Sequence, residues 1–162
     1  MGERRNQYRF RTEWALSAAP DDVFAALAEL LDYPNWWPEV KDTTALDANR
    51  CQMTVRSVLP YDLSFVSTRS RLDRPAGVLE ATLSGDLEGV SRWTITKSPS
   101  GTVAVFEETV VAHKALLRRL AVVARPAFRA NHGVMMSHGR RGLVAYLAGM
   151  RLGRSTGLGP VE

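Results

Sequence analysis

The segment Phe128–Gly139, FRANHGVMMSHG, sets one amide and two imidazoles among methionines and a valine. Histidine is the side chain whose ordinary proton equilibrium lies nearest neutrality, so an imidazole here could give or take a proton, with an amide close by to donate a hydrogen bond. Upstream, VAVFEETVV places Glu107 beside Glu108. Neighbours on a strand point to opposite faces, so one of the two carboxyls must face whatever the sheet encloses. That carboxyl either pairs with Arg69, Arg71 or Arg92 on adjacent strands or serves as a base. An aldol-type ring closure would need such a base beside a carbonyl and a donor for the enolate. His138 and Glu108 are the candidate bases, and Asn131 or Tyr146 the candidate donors.

Other chemistries find no support. Three histidines and scattered carboxylates show no metal-ligand spacing, and neither the serines nor the single Cys51 has a nucleophile's setting, so no metal and no cofactor are expected. The formal charge of +4 is spread along the chain rather than gathered, so nucleic acid is not an expected partner. A lone cysteine forms no internal disulfide, the charged start MGERRNQYRFR lacks the apolar stretch of a signal peptide, and no apolar run approaches the ~20 residues of a membrane span. The expectation is a cytoplasmic protein with no stable membrane insertion.

With 162 residues the chain can bury one substantial core, and one domain over 1–150 with a frayed tail over 151–162 is expected. YRFRTEWAL alternates as a half-buried strand from Tyr8 to Leu16. SAAPDDVFAALAELL follows as a helix, opened by Pro20, Asp21 and Asp22 and carrying Val23, Phe24, Leu27, Leu30 and Leu31 at helical spacing. It stops before DYPNWWPEV, where Pro34 and Pro38 leave room for one turn around Trp36 and Trp37. Six further strands are predicted at Val40–Leu46, Cys51–Leu59, Leu63–Leu72, Val78–Leu83, Ser91–Lys97 and Val103–Ala112. Their short connections require antiparallel pairing.

Beyond His113 the period becomes helical as far as about Met150, with a kink or break at Pro126. Carrying ~100° per residue along this segment puts Arg118, Arg125, Arg129 and Arg140 in one polar stripe. Opposite them fall Ala127, Asn131, Val134, Met135, His138 and Gly142, with Phe128 and Tyr146 close by. On this phase Asn131 and His138 point into the sheet, and His132 lies at the edge as a structural residue bonding the YPNWWP segment. Each of the first two is either a polar contact for a bound molecule or a buried group satisfied by the sheet. The arginine stripe is a solvated face, or a patch for an acidic partner or membrane surface.

A seven-stranded antiparallel sheet curls, and a straight helix laid across its hollow side leaves a void, the default ligand site. Its expected wall includes Met53, Phe65, Leu79, Ala81, Trp93 and either Phe106 with Glu108 or Val105 with Glu107, roofed by Phe128 and Met135.

APDDVFAAL after the first strand, YPNWWPEV, GDLEGVSRWTI and RPAFRANHGVMMSHGRRGL together resemble the START-like, or SRPBCC, superfamily, in its polyketide cyclase/dehydrase and lipid-transport branch. The likeness runs from about Tyr8 to Gly149. It implies an α+β helix-grip fold: a curved seven-stranded antiparallel sheet on a long C-terminal helix, with one or two short helices after the first strand. It also implies a cavity holding a lipid, polyketide or aromatic compound, with Trp36 or Trp37 at the rim, one packed and one gating. Some members cyclise or dehydrate polyketides and others only bind or carry, so the fold leaves activity open, and a homodimer is open too.

Overall fold

The computed structural model describes residues 7–58, 61–113 and 125–156. Strand β1, Gln7–Leu16, buries Tyr8, Trp14 and Leu16 and leaves Arg9, Arg11 and Glu13 outside, as period-two alternation requires. Helix α1, Pro20–Ala28, starts from an extended Ala19, with Pro20 in its first turn and Asp21 and Asp22 against the positive end of its dipole. It sinks Val23, Phe24, Ala26 and Leu27 into the core. A single 3-10 turn, Leu30–Asp32, leads into the one-turn helix α2, Tyr33–Trp36, which Pro34 opens.

Six strands complete the sheet: β2 (Val40–Ala45), β3 (Arg50–Val55), β4 (Leu63–Asp73), β5 (Val78–Gly85), β6 (Leu87–Ser98) and β7 (Gly101–Ala112). The spatial order is β1-β7-β6-β5-β4-β3-β2, antiparallel throughout, so the first strand closes against the last. Helix α3, Arg125–Thr156, lies over the hollow face. This is the expected α+β helix-grip architecture, a seven-stranded antiparallel sheet around a long C-terminal helix. Pro126 sits in the first turn of α3, where its missing N–H costs nothing. The expected helix from His113 to Pro126, with Leu117, Arg118, Leu120 and Val123, lies outside the described residues. At the other end α3 continues through Thr156, and 157–162 lie outside the described residues.

Register aligns one row of inward side chains across five strands: Phe10 opposite Glu108, Glu108 opposite Ser91, Ser91 opposite Ala81, and Ala81 opposite Arg69. The next row holds Thr12, Phe106, Trp93 and Leu79. The first row is small at Ala81 and Ser91 and the second is bulky, so the sheet's surface dips where the small residues stand.

Two apolar clusters fix α3 to the sheet. At its start Phe128 packs on Tyr8, ring centroids 4.7 Å apart, with Leu83, Leu87, Val110 and Ala112. Farther along, Met136, Leu143 and Leu147 join Trp14, Val23, Phe24 and Leu27. There α2 presses against α3: the Trp37 indole donates to the Met135 carbonyl at 3.0 Å, and Gly142 carries the Trp36 carbonyl where a side chain would stand. The sharp bend after Arg74 is closed by Gly77 at φ +67°, which only glycine adopts readily, and its N–H donates to the Arg74 carbonyl at 3.1 Å.

A methyl group at Gly142 would overlap the Trp36 carbonyl oxygen, a backbone atom that cannot swing away. Gly142→Ala is therefore expected to destabilise the protein by roughly 1–3 kcal/mol, because an overpacked contact must push two helices apart. Gly149→Ala, where nothing lies within 4 Å, is expected to be neutral or to stabilise by up to about 1 kcal/mol through helix propensity. Thermal melts of the two variants check the opposite signs.

Candidate functional site

Between the hollow face and α3 lies a cavity of about 500 Å³. Its floor is Cys51 and Met53 on β3, Phe65 and Ser67 on β4, Leu79 and Ala81 on β5, Trp93 on β6, and Phe106 with Glu108 on β7. Its roof is His132, Met135 and Met136 of α3, with Tyr33 and Trp37 from the α1–α2 segment at the side. It reaches the surface between Leu31, the Asp47–Arg50 turn and the Arg69–Arg71 stretch, all exposed. Two rim arginines are held by neighbours, Arg50 by Asp47 at 2.6 Å and Arg71 by Asp73 at 2.7 Å. Those guanidinium hydrogen bonds hold both aspartates below the usual carboxyl range. The Arg69 guanidinium has no ion pair or hydrogen bond among the described residues.

The wall is mostly apolar and aromatic, and its polar groups divide into two kinds. Tyr33 is spent on structure: its hydroxyl donates to the buried Leu27 carbonyl at 2.6 Å, and burial pushes its phenol far above the ordinary range. Burial likewise raises the Cys51 thiol, which leaves it a small apolar surface rather than a nucleophile. Ser67 is buried, and its hydroxyl has no hydrogen-bond partner among the described residues.

Deepest from the mouth, His132 and Glu108 face each other. The His132 Nε2 atom is 3.4 Å from a Glu108 oxygen, and each side chain keeps 11% of its surface exposed. The imidazole stacks flat on Phe10, with centroids 3.9 Å apart and planes 12° from parallel, and Phe106 lies beyond. The 3.4 Å contact is within ion-pair reach but is not aligned as a hydrogen bond. Nε2 is therefore buried with no hydrogen-bond partner. The register explains why these two meet: Phe10 stands opposite Glu108 on neighbouring strands, and the ring on Phe10 is brought over the carboxyl.

Of the residues expected at the site, Trp37, Met53, Phe65, Leu79, Ala81, Trp93, Glu108 and Met135 line this one cavity. Four others are elsewhere. Trp36 is buried in the core beside Tyr33, under Gly142. Phe128 is buried in the cluster around Tyr8. Asn131 turns away from the hollow face, and its side-chain oxygen accepts from the Val58 N–H at 3.1 Å. The side chain of His138 is 41% exposed, and its Nδ1 bonds Glu39, just past the tryptophan turn. Of the two expected enolate donors, Asn131 is thus engaged with Val58, and Tyr146 donates to Asp32 at 3.2 Å.

These differences share one cause. The buried line of α3 runs through Phe128, Met136, Gly139, Leu143 and Leu147, with His132 and Met135 beside it. It is turned by roughly a quarter of a revolution from the line through Asn131 and His138, a matter of about one residue's rotation. The expected stripe took its phase from residues before Pro126, and small apolar residues such as Val134 and Ala145 pulled it to a face that is exposed. The sequence does contain a correcting signal: Gly139 stands on the line of Met136, Leu143 and Leu147 and is approached closely by Trp37, whereas Gly142 lies on the expected face and does not separate the two phases. Arg118 and Arg119 lie outside the described residues, and the Arg140 guanidinium donates to the Ala15 carbonyl at 3.0 Å.

Among the described residues no three His, Cys, Asp or Glu side chains gather as a metal site. No described helix is long and apolar enough to cross a membrane.

Sheet order, the long helix and the enclosed cavity define a START-like helix-grip protein. The chain belongs to the family described as polyketide cyclase/dehydrase and lipid transport, which matches residues 7–147. Similar solved folds include the Zhui aromatase/cyclase of Streptomyces sp. R1128, at TM-score 0.73 and 15% identity over 88% of this chain and 94% of that one. A START superfamily protein of Mycobacterium smegmatis follows at TM-score 0.68 and 14% identity, covering 89% and 98%. The di-domain ARO/CYC StfQ from the steffimycin biosynthetic pathway aligns at TM-score 0.70 and 19% identity over 93% of this chain and 54% of its own, so this chain spans about half of it. No curated protein matches in sequence.

Glu39 is 6% exposed, and of its two carboxyl oxygens only the one bonded to His138 has a partner. His138→Ala is expected to lower stability by roughly 1–3 kcal/mol, since it strands a buried carboxyl, while binding in the cavity stays unchanged. Chemical denaturation and a ligand titration on the same variant check both halves.

Proposed function

We propose that the protein binds an apolar or amphipathic small molecule, a lipid, polyketide or aromatic compound, in the cavity between sheet and α3. The observation carrying this reading is the cavity itself, about 500 Å³ in size, which lies within the range of ligand pockets rather than packing defects. Its aromatic walls, Tyr33, Phe65, Trp93 and Phe106, favour a flat unsaturated molecule, because ring faces gain from offset and edge contacts beyond simple area burial. The free guanidinium of Arg69 at the mouth suits an anionic or carbonyl-bearing end left near solvent. The family description supports the same class of ligand.

A second reading, cyclisation or dehydration of a polyketide, is favoured by one specific feature: an imidazole and a carboxyl placed 3.4 Å apart at the closed end. The Zhui aromatase/cyclase fold likeness supports it at the level of fold. In this reading Glu108 or His132 is the base, in place of His138. Localisation to the cytoplasm and any homodimer remain part of the proposal, as does the extent of the domain over 1–150.

Binding is tested with N-phenyl-1-naphthylamine, whose emission rises in apolar surroundings. Saturable binding at one site per chain is expected, with quenching of Trp37 and Trp93, the two tryptophans on the wall. Ala81→Phe, which fills the dip in the floor, should weaken the probe at least about tenfold, as expected when a steric block removes most of an apolar contact. Absence of saturable binding to the wild type would refute the reading.

A further inference from the structure

The closed end of the cavity differs chemically from its mouth. The mouth carries the Arg69 guanidinium, without an ion pair among the described residues, whereas the closed end carries a carboxyl and an imidazole that touch without bonding. A buried polar atom with no partner is costly, so an orphaned Nε2 on a cavity wall needs a complement. Phe10 stacks on the imidazole and fixes its plane. Beside Glu108 the sheet carries Ser91 and then Ala81, directly opposite one another in register and both small. Space for an incoming atom is therefore open beside the Glu108 carboxyl, while Nε2 behind it is reached only when the imidazole gives way slightly.

From this geometry we infer that the Glu108–His132 pair is a recognition site for a hydroxyl group, phenolic or alcoholic, carried on the inner end of the ligand. This rests on the reading of the cavity as a ligand site. With a proton on Nε2, or on the carboxyl, the pair presents a donor and an acceptor side by side. A hydroxyl is the small group that donates and accepts at once, so it can satisfy both. An ether or a ketone only accepts and leaves the acceptor unmet. An anionic group would be set against the carboxyl, which directs any charged end of the molecule toward Arg69 instead. The ligand would thus enter with its neutral hydroxylated ring first.

The test compares two probes by isothermal titration: 2-naphthol, and 2-methoxynaphthalene, which has the same rings and a larger apolar surface but no donor. The wild type is expected to bind 2-naphthol about tenfold tighter or more, in line with a buried donor–acceptor match that area alone would reverse. In Glu108→Leu and His132→Phe, the second keeping the stack on Phe10, the ratio of the two affinities should fall to about one or below, with melting temperatures monitored alongside. If the wild type binds the ether as well as or better than the naphthol, the hydroxyl site is overturned while cavity binding stands. Retention of the wild-type ratio by both variants overturns it too. If neither probe binds at all, the cavity reading fails and this inference goes with it. Should a variant not fold, the wild-type ratio alone decides.

Discussion

The contact on which the rest of this molecule depends is the seat of α3 on the one-turn helix α2. Gly142 lets the Trp36 carbonyl reach the helix surface, Gly139 lets the Trp37 indole lie against it, and that indole donates to the Met135 carbonyl at 3.0 Å. Together these fix the height and the rotation of α3 at one end. Phe128 on Tyr8 fixes the other end. A stiff rod held at two points cannot sag into the hollow of a twisted sheet, so the space between the supports stays open. The cavity is a consequence of where the helix is held, and needs no special residues of its own.

Holding the rod this way also decides which polar groups enter the cavity. With the glycines against the tryptophan turn, His132 faces inward over Glu108, and His138, nearly two turns later, swings out to meet Glu39. The two histidines therefore do opposite work. One ties the turn carrying the tryptophans to the helix; the other stands unpaired in the wall. Tyr33 and Thr102 resemble His138 in this respect: both are buried hydroxyls that donate to backbone carbonyls, of Leu27 and Ala18 respectively, and so brace the α1 region against the sheet. Tyr33, Thr102 and Nδ1 of His138 thus have partners, whereas Nε2 of His132 has none among the described residues, a state it shares with the core indole nitrogens of Trp14 and Trp36.

The sheet was legible in the chain because its side chains obey a period of two, which has only two phases. Once Trp93 is inside, Thr94 is outside, and pairing carries that choice to the next strand. Alternation alone leaves two choices on β7, Phe106 with Glu108 or Val105 with Glu107, and the pairing of Phe106 with Trp93 settles it for the first. Pairing with β4 extends β5 to Gly85 and pairing with β7 starts β6 at Leu87, longer than local alternation indicates, because a strand continues as far as its outer neighbour supplies hydrogen bonds. The helix is harder. A period of 3.6 has no such two-way choice, and a stripe averaged over a segment broken by a proline can be wrong by one residue's rotation while still looking amphipathic.

That single rotation exchanges the chemistry of the site. With the phase through Asn131 and His138, the cavity would hold an amide and an imidazole on the same line of α3, with Glu108 opposite an apolar roof. With the phase that the buried Met136, Leu143 and Leu147 impose, the imidazole is His132, its neighbour is the carboxyl on the strand facing it, and the amide is spent outside on Val58. Composition is identical in both cases, so no count of polar residues on the helix distinguishes them. What does distinguish them is packing: Gly139 meets the Trp37 indole and Gly142 the Trp36 carbonyl, while Met136, Leu143 and Leu147 sink into the core beside them. The rotation of the helix, and with it the identity of the groups that a bound molecule would meet, is thus set by large apolar side chains and a close glycine seat rather than by any of the charged or polar residues.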